Sequence, residues 1–192
     1  MRPRARSLAL ALLAIGGIAA GQDLLIDGTR STITVHVGKA GLLSAAGHEH
    51  WVSAPISSGT IREGPSASVE FAIQTAKMLV KPDPKVDAKT QAEIQKDMEE
   101  MVLETKKFPQ IAFHSSHVEK AGDAQWKVDG TLSLHGVSKP VSLTVKRTGD
   151  SYSAHAVLKQ TDFAMKPITV GGGVIKVKNE VDIDFQIFTQ GK

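Results

Sequence analysis

Cysteine is absent from this sequence. That excludes disulfides, thiol catalysis and zinc–thiolate sites, so the fold has to rest on its core alone. Aromatic residues make up only 5% of the chain, with one tyrosine and two tryptophans, and no Lys/Arg cluster is interleaved with them. Several catalytic signatures are missing as well. There is no GxSxG elbow for a serine nucleophile. Gly171–Gly173 lacks the Lys-Ser/Thr of a phosphate loop and reads as a turn or bulge into the last strand. Long apolar runs are also missing. The longest, Leu8–Ile15, is too short to span a bilayer.

That run has a context. Arg2, Arg4 and Arg6 precede it, and Ala19, Ala20 and Gly21 come after it. A cationic start, an apolar stretch and small residues make a secretory leader, so Met1–Gly21 is expected to be a cleaved signal peptide rather than an uncleaved anchor. The absence of Cys at the cut excludes a lipoprotein anchor. No transmembrane segment is expected after cleavage, and the protein is expected to be periplasmic or secreted. Of 23 Lys+Arg, three lie in the leader, which leaves 20 cations against 20 anions in 22–192. A neutral surface gives no electrostatic case for nucleic acid. The remaining 171 residues suffice for one domain, since a chain of this size buries about 70% of its unfolded surface.

What the chain has in quantity is alternation. In Asp129–Lys146, Leu132 and Leu134 precede a turn built from Gly136, Ser138 and Pro140. Val141, Leu143 and Val145 then alternate with polar residues. This predicts an antiparallel hairpin with one buried face. Ile33/Val35/Val37, Val69/Phe71/Ile73 and Ile111/Phe113 mark further strands, and Tyr152–Lys159 marks a weaker one. The last strand is long, with Ile175, Val177, Val181, Ile183, Phe185 and Ile187 on one face and only Asn179 breaking the row. One segment is helical instead. Ile94, Met98, Met101, Val102 and Thr105 have helical spacing, Thr90 and Glu93 have capping-box spacing, and Pro109 ends the segment. A helix over Asp87–Thr105 is predicted, with Ile94, Met98 and Met101 buried. Its role as a lid over a barrel mouth, or as a helix packed outside, stays open.

The predicted hairpin resembles the signature of the YceI-like family, "G-x-L-x-L-x-G-V-x-K-P-V". FPQIAFHS at Phe108–Ser115 resembles that family's "y/f-P-x-I-x-F-x-S". Gln160–Phe163 with Ala164 and Met165 resembles "Q/R-x-D-F-G-I", with Ala164 in place of the usual Gly. Met98–Leu103 resembles "M-x-x-x-V-L", and AGHEHW at Ala46–Trp51 resembles "G-H-[DE]-H". Arg30 stands where the family's first-strand His would be. The resemblance implies an all-β fold: an antiparallel, lipocalin-like β-barrel with one inserted helix. It also implies a non-enzymatic function, binding a long apolar amphiphile such as a polyisoprenoid or quinone-like lipid.

Two candidate sites result. The apolar rows are expected to converge on one interior, placing Val69, Phe71, Ile73, Phe113, Leu132, Leu134, Leu143, Val145, Val181, Ile183 and Phe185 around a ligand. An eight-stranded barrel can be filled by side chains or left open for a small ligand, and the resemblance favours the cavity. The second candidate is polar. In a strand, His48 and His50 project to one face and can share a transition-metal ion, with His36 as a third ligand. The bland alternative is hydrogen bonding to backbone or to a ligand head. A periplasmic metal- or stress-linked binding protein using His48 and His50 is therefore the rival function. An enzyme is not expected. The oligomeric state is left open, a homodimer included.

Overall fold

Strands built on these rows wrap into a barrel because each must bury one face. The computed structural model describes residues 21–40, 49–170 and 175–190. The leader up to Ala20, Gly47 and His48 of the GHEH segment, and Gly171–Gly173 lie outside those residues.

The N-terminal strands come in pairs, each a long strand broken once. These are β1 (Asp23–Leu25) with β2 (Thr32–Ala40), β3 (His50–Ser53) with β4 (Ile56–Arg62), and β5 (Ser68–Gln74) with β6 (Leu79–Val80). Strands β7 (Gln110–Gly122), β8 (Gln125–Leu134), β9 (Val137–Thr148), β10 (Ser151–Lys159) and β12 (Ile175–Phe188) come next, with β11 (Thr169–Val170) a two-residue addition to β12. Every pairing is antiparallel. The order runs β4–β5–β7–β8–β9–β10–β12–β2, and β1, continuous with β2, returns to pair with β4. Eight long staves thus close on themselves. Ile26 bridges Thr189 at the seam.

Arg30 ties this seam together. Its guanidinium donates to the Thr189 carbonyl (2.6 Å), to Asp27 (2.9 Å) and to Asp150 (3.0 Å). The Thr29 hydroxyl first, and then Arg30, hold the Asp27 carboxyl down to about 2.

The hairpin turn is tighter than the sequence suggested. It consists of His135 and Gly136 alone, with φ of 51° and 76°. Positive φ at both central residues is the twist-matched two-residue loop. Ser138 and Pro140 therefore lie in β9, Pro140 opposite Thr131. In β12 the register shifts between Val177 and Val181. Asn179, the break in the apolar row, sits at that irregularity and bonds the backbone and hydroxyl of Thr161.

The helix differs in two details. Its N-cap is Asp87, whose carboxylate accepts from the Lys89 and Thr90 amides, both at 3.0 Å, so Thr90–Glu93 is not a capping box. Helix α1 (Ala88–Asp97) then passes into a π turn over Met98–Val102. A π turn inserts a residue and rotates the chain beyond it. Met101 consequently turns outward, 62% exposed, while Leu103 is 7% exposed. Ile94 and Met98 pack against the core as expected, and Val102 joins them.

The helix also serves as a surrogate strand. Beside β6 there is no further strand among the described residues, and the Gln95 amide takes that place. It donates to the Met78 carbonyl (3.0 Å) and accepts from the Val80 amide (2.8 Å). An edge that would otherwise invite another chain is thereby occupied.

Ala164 ends the turn Gln160–Phe163 in the left-handed region, φ 57°, which accounts for Gly being usual there. Ala164→Gly should raise stability by roughly 1 kcal/mol, the cost of a left-handed Cβ less the entropy of glycine; a denaturant melt measures it. Met98 is half-buried against the core, and Met98→Lys should cost about 1–3 kcal/mol. Met101→Lys should stay within about 0.5 kcal/mol of the parent. Equal effects of the two lysines in thermal melts would contradict the π-turn phasing.

Candidate binding cavity

Because side chains alternate along each strand, one residue in two faces the lumen. The inward side chains do not fill it. Two chambers remain, of about 320 Å³ and about 150 Å³. The wide one lies at the barrel end carrying the β4–β5, β7–β8 and β9–β10 turns. The narrow one lies towards the helix, with Met98, Val102 and Leu103 in its wall. The helix therefore contributes lining rather than merely packing outside.

All eleven expected residues face this interior. Val69 and Val145 line the wide chamber. Ile73, Leu132, Leu134, Val181 and Ile183 line the narrow one. Phe71, Phe113, Leu143 and Phe185 border both and form a waist. Phe71 meets Phe113 on the neighbouring strand with ring centroids 5.5 Å apart, and reaches Phe185 across the lumen at 6.3 Å. Gly130 makes this layer possible. A Cβ there would stand 2.5 Å from the Phe113 ring and 2.6 Å from the His114 carbonyl.

The narrow chamber is almost wholly apolar. Its polar member, Gln160, has its amide tied to the Lys178 carbonyl at 2.7 Å. An apolar cavity of about this size stays dry and accepts a small hydrocarbon. The wide chamber falls at the lower end of ligand-pocket sizes, about 300–1,000 Å³. Trp126, Val118 and Val128 join its wall.

Its rim is where sequence reading fell short. Arg62, Glu63, Arg147 and Tyr152 all line the wide chamber. The Tyr152 hydroxyl and an Arg147 Nη both donate to Glu63 Oε1, each at 2.7 Å. Arg147 also lies over the Tyr152 ring, 5.6 Å from its centroid. Arg62 pairs with Asp23 through two hydrogen bonds, 2.6 and 2.9 Å. Tyr152 and Glu63 sit 89 positions apart, so no local spacing announces them. One signal existed: the chain's sole tyrosine opens a strand whose other inward residues are small or aliphatic.

At the opposite end His135, in the β8–β9 turn, is buried at 8% exposure. Its imidazole meets Glu104 at 2.7 Å and the Phe163 carbonyl at 3.2 Å, against the Phe108 ring. It thus ties the connection after the helix to the β8–β9 turn.

The proposed histidine cluster does not assemble as drawn. His50 pairs with Val37, and His36 with Trp51. Cross-strand partners share a face, so His50 lies on the Val37 side and His36 on the other. His36 cannot be a third ligand with His50. It bonds Glu49 (3.2 Å) and stacks on Trp51 (4.9 Å) on the outer surface. His48 lies outside the described residues. Among the described residues, no group of three His, Cys, Asp or Glu side chains is placed to hold a metal ion.

A closed antiparallel eight-stave barrel with an apolar lumen is a lipocalin-like binding fold. Residues 25–188 match the YceI-like domain, and the chain belongs to that family. BcnA of Burkholderia cenocepacia shares the fold, with a TM-score of 0.61 at 17% identity over 84% of this chain and 98% of that one. A polyisoprenoid binding domain from Saccharophagus degradans gives 0.58 at 15% identity, over 88% and 98%. Among curated relatives, a UPF0312 protein of Pseudomonas putida is 30% identical over 94 residues, 44% of this chain and 47% of that protein. One from Yersinia pestis is 51% identical over 47 residues, 24% of each. The chain thus spans about a quarter to a half of the length of these relatives.

Burial, and then the Glu63 carboxylate it bonds, push the Tyr152 phenol well above the ordinary value near 10. The neutral form is the one the fold stabilises. Its contribution is whole below that ordinary value and is lost as pH climbs from there toward the raised folded value. As the sole tyrosine, Tyr152 reports this directly. Ultraviolet difference absorbance should show phenolate formation delayed past the ordinary range in the native protein and shifted back down in Glu63→Gln.

Proposed function

We propose that this protein binds a long apolar amphiphile, a polyisoprenoid- or quinone-like lipid, and carries or sequesters it without chemical change. The observation that supports this most is the hollow interior. A filled core of the same eight strands would serve stability alone, whereas two apolar chambers in line suit an extended chain. Each buried CH₂ contributes about 0.8 kcal/mol, so a long tail binds firmly with little polar recognition. The tail lies in the lumen and the head at the Glu63–Arg147–Tyr152 rim. A tail that reaches the narrow chamber must pass the phenylalanine waist.

The relatives fit this reading. The Saccharophagus degradans domain of the same fold is a polyisoprenoid binding domain. The leader of Arg2, Arg4, Arg6 and the adjoining apolar run supports a periplasmic or secreted location, where a soluble vessel carries lipid through water. No helix among the described residues is long and apolar enough to cross a membrane.

Solvent extraction of the purified protein, with mass spectrometry of the extract, tests the proposal; an isoprenoid or related amphiphile is the expected product. Ala154 lines the wide chamber, and Ala154→Trp should abolish co-purification. Since the new ring enters open space, the loss of stability should stay below the about 1–3 kcal/mol typical of an overpacked core. A larger loss, with no lipid from the parent protein, would sink the carrier reading.

A further inference from the structure

The barrel wall is not laddered all the way round. Resting on the carrier reading, we propose that the guest enters sideways, through a slit between β9 and β10. Its tail is laid into the narrow chamber from the side instead of being threaded end-on past the phenylalanine waist.

The pairing of the two strands is short. Val145–Thr148 pairs with Ser151–Ala154, next to their own turn, and the ladder stops there. Strand β10 runs on to Lys159, its other edge paired with β12 throughout, and β9 stays paired with β8 back to Val137. The two staves therefore separate while each is anchored on its far side. The sequence supplies a cause. The Arg147 amide donates to the Ala124 carbonyl on the β8 side. Successive residues of a strand turn their backbone groups to opposite neighbours, so Pro140, Ser142 and Thr144 turn theirs towards β10. Pro140 has no N–H to give a ladder, and proline is confined to strand edges for that reason. The slit also leads inward. A cleft of about 570 Å³ lies between the parted strands. Val141, Leu143, Ala156 and Leu158 line both this cleft and the narrow chamber, and each is only half-buried. Aliphatic side chains, rather than a hydrogen-bonded ladder, form the wall at this level. Beyond them Lys139 and Asp162 pair at 3.8 Å on the surface, a contact of the kind that contributes little. Parting β9 and β10 further thus breaks no ladder. The axial route is harder, because Phe71, Phe113 and Phe185 meet across it.

The chain has no cysteine of its own, so a staple can be set across the slit alone. Ser142 and Val157 are exposed on its two lips and would face each other if the ladder continued. In the Ser142→Cys/Val157→Cys protein a bis-methanethiosulfonate bridges the two thiols, and dithiothreitol releases it. Loading is followed by stopped flow with all-trans-retinol, an isoprenoid alcohol whose absorption takes up the emission of Trp126 in the wide chamber. The staple should slow association roughly tenfold or more, as a gated entry does. Dissociation should slow in step, so the affinity holds, and dithiothreitol should restore both rates. A bulky polar methanethiosulfonate on Ala67→Cys, in the wall of the wide chamber, should slow association less than the staple. Pro140→Val returns an N–H to the β10 side and should slow loading in the same direction with no cross-link, which decides the matter if the double variant does not fold. Association unmoved by the staple and by Pro140→Val, or slowed only by the Ala67 adduct, would overturn side entry while leaving the carrier reading intact. If retinol does not bind the parent protein, the carrier reading falls and side entry with it.

Discussion

The radius of a barrel is fixed by the number of its staves and their stagger, not by what the inward side chains can fill. Everything functional here depends on that mismatch. Eight staves set the bore. Along much of it the sequence supplies Val, Leu, Ile and Ala, with Ala154 leaving open space and Gly130 leaving room for the Phe113 ring. Only at Phe71, Phe113 and Phe185 do large rings meet across the lumen. The result is a waist with a chamber on either side. The exterior rows obey the same alternation with opposite chemistry, as Asp182 and Asp184 on the outside of β12 show beside Ile183 and Phe185 within.

This explains what was legible in the sequence. Alternation is local, so the faces of the strands, and with them the eleven lumen residues, could be read directly. Where the local pattern bent, the reading bent with it. Met101 has perfect helical spacing, yet a π turn places it in solvent. Thr90 and Glu93 have the spacing of a capping box, yet Asp87 comes first and takes the amides. Ser138 and Pro140 look like turn residues, yet two residues with positive φ suffice to reverse the chain. In each case backbone geometry decided between patterns that the residues alone allowed.

The rim was not legible because it is made by closure. Glu63 stands after β4, Arg147 near the end of β9 and Tyr152 at the start of β10. Arg147 and Tyr152 face each other across one hairpin, but Glu63 reaches them only because the sheet curls round. The same holds for His36 and His50, which seem suited to each other until the register Val37–His50 puts a sheet between them. Long-range polar constellations of this kind depend on topology and register. The apolar rows depend only on parity.

The seam between β2 and β12 has a kinetic consequence. It joins the first long stave to the last, so the pairing of Ile33 with Phe185 closes a loop over nearly the whole described chain. Contacts so distant along the chain make loop closure costly and folding slow. With this seam open, the sheet would be a gutter whose apolar side faces water. A greasy guest present at that moment shelters the gutter and, once enclosed, deepens the well of the closed state as its concentration rises above its dissociation constant.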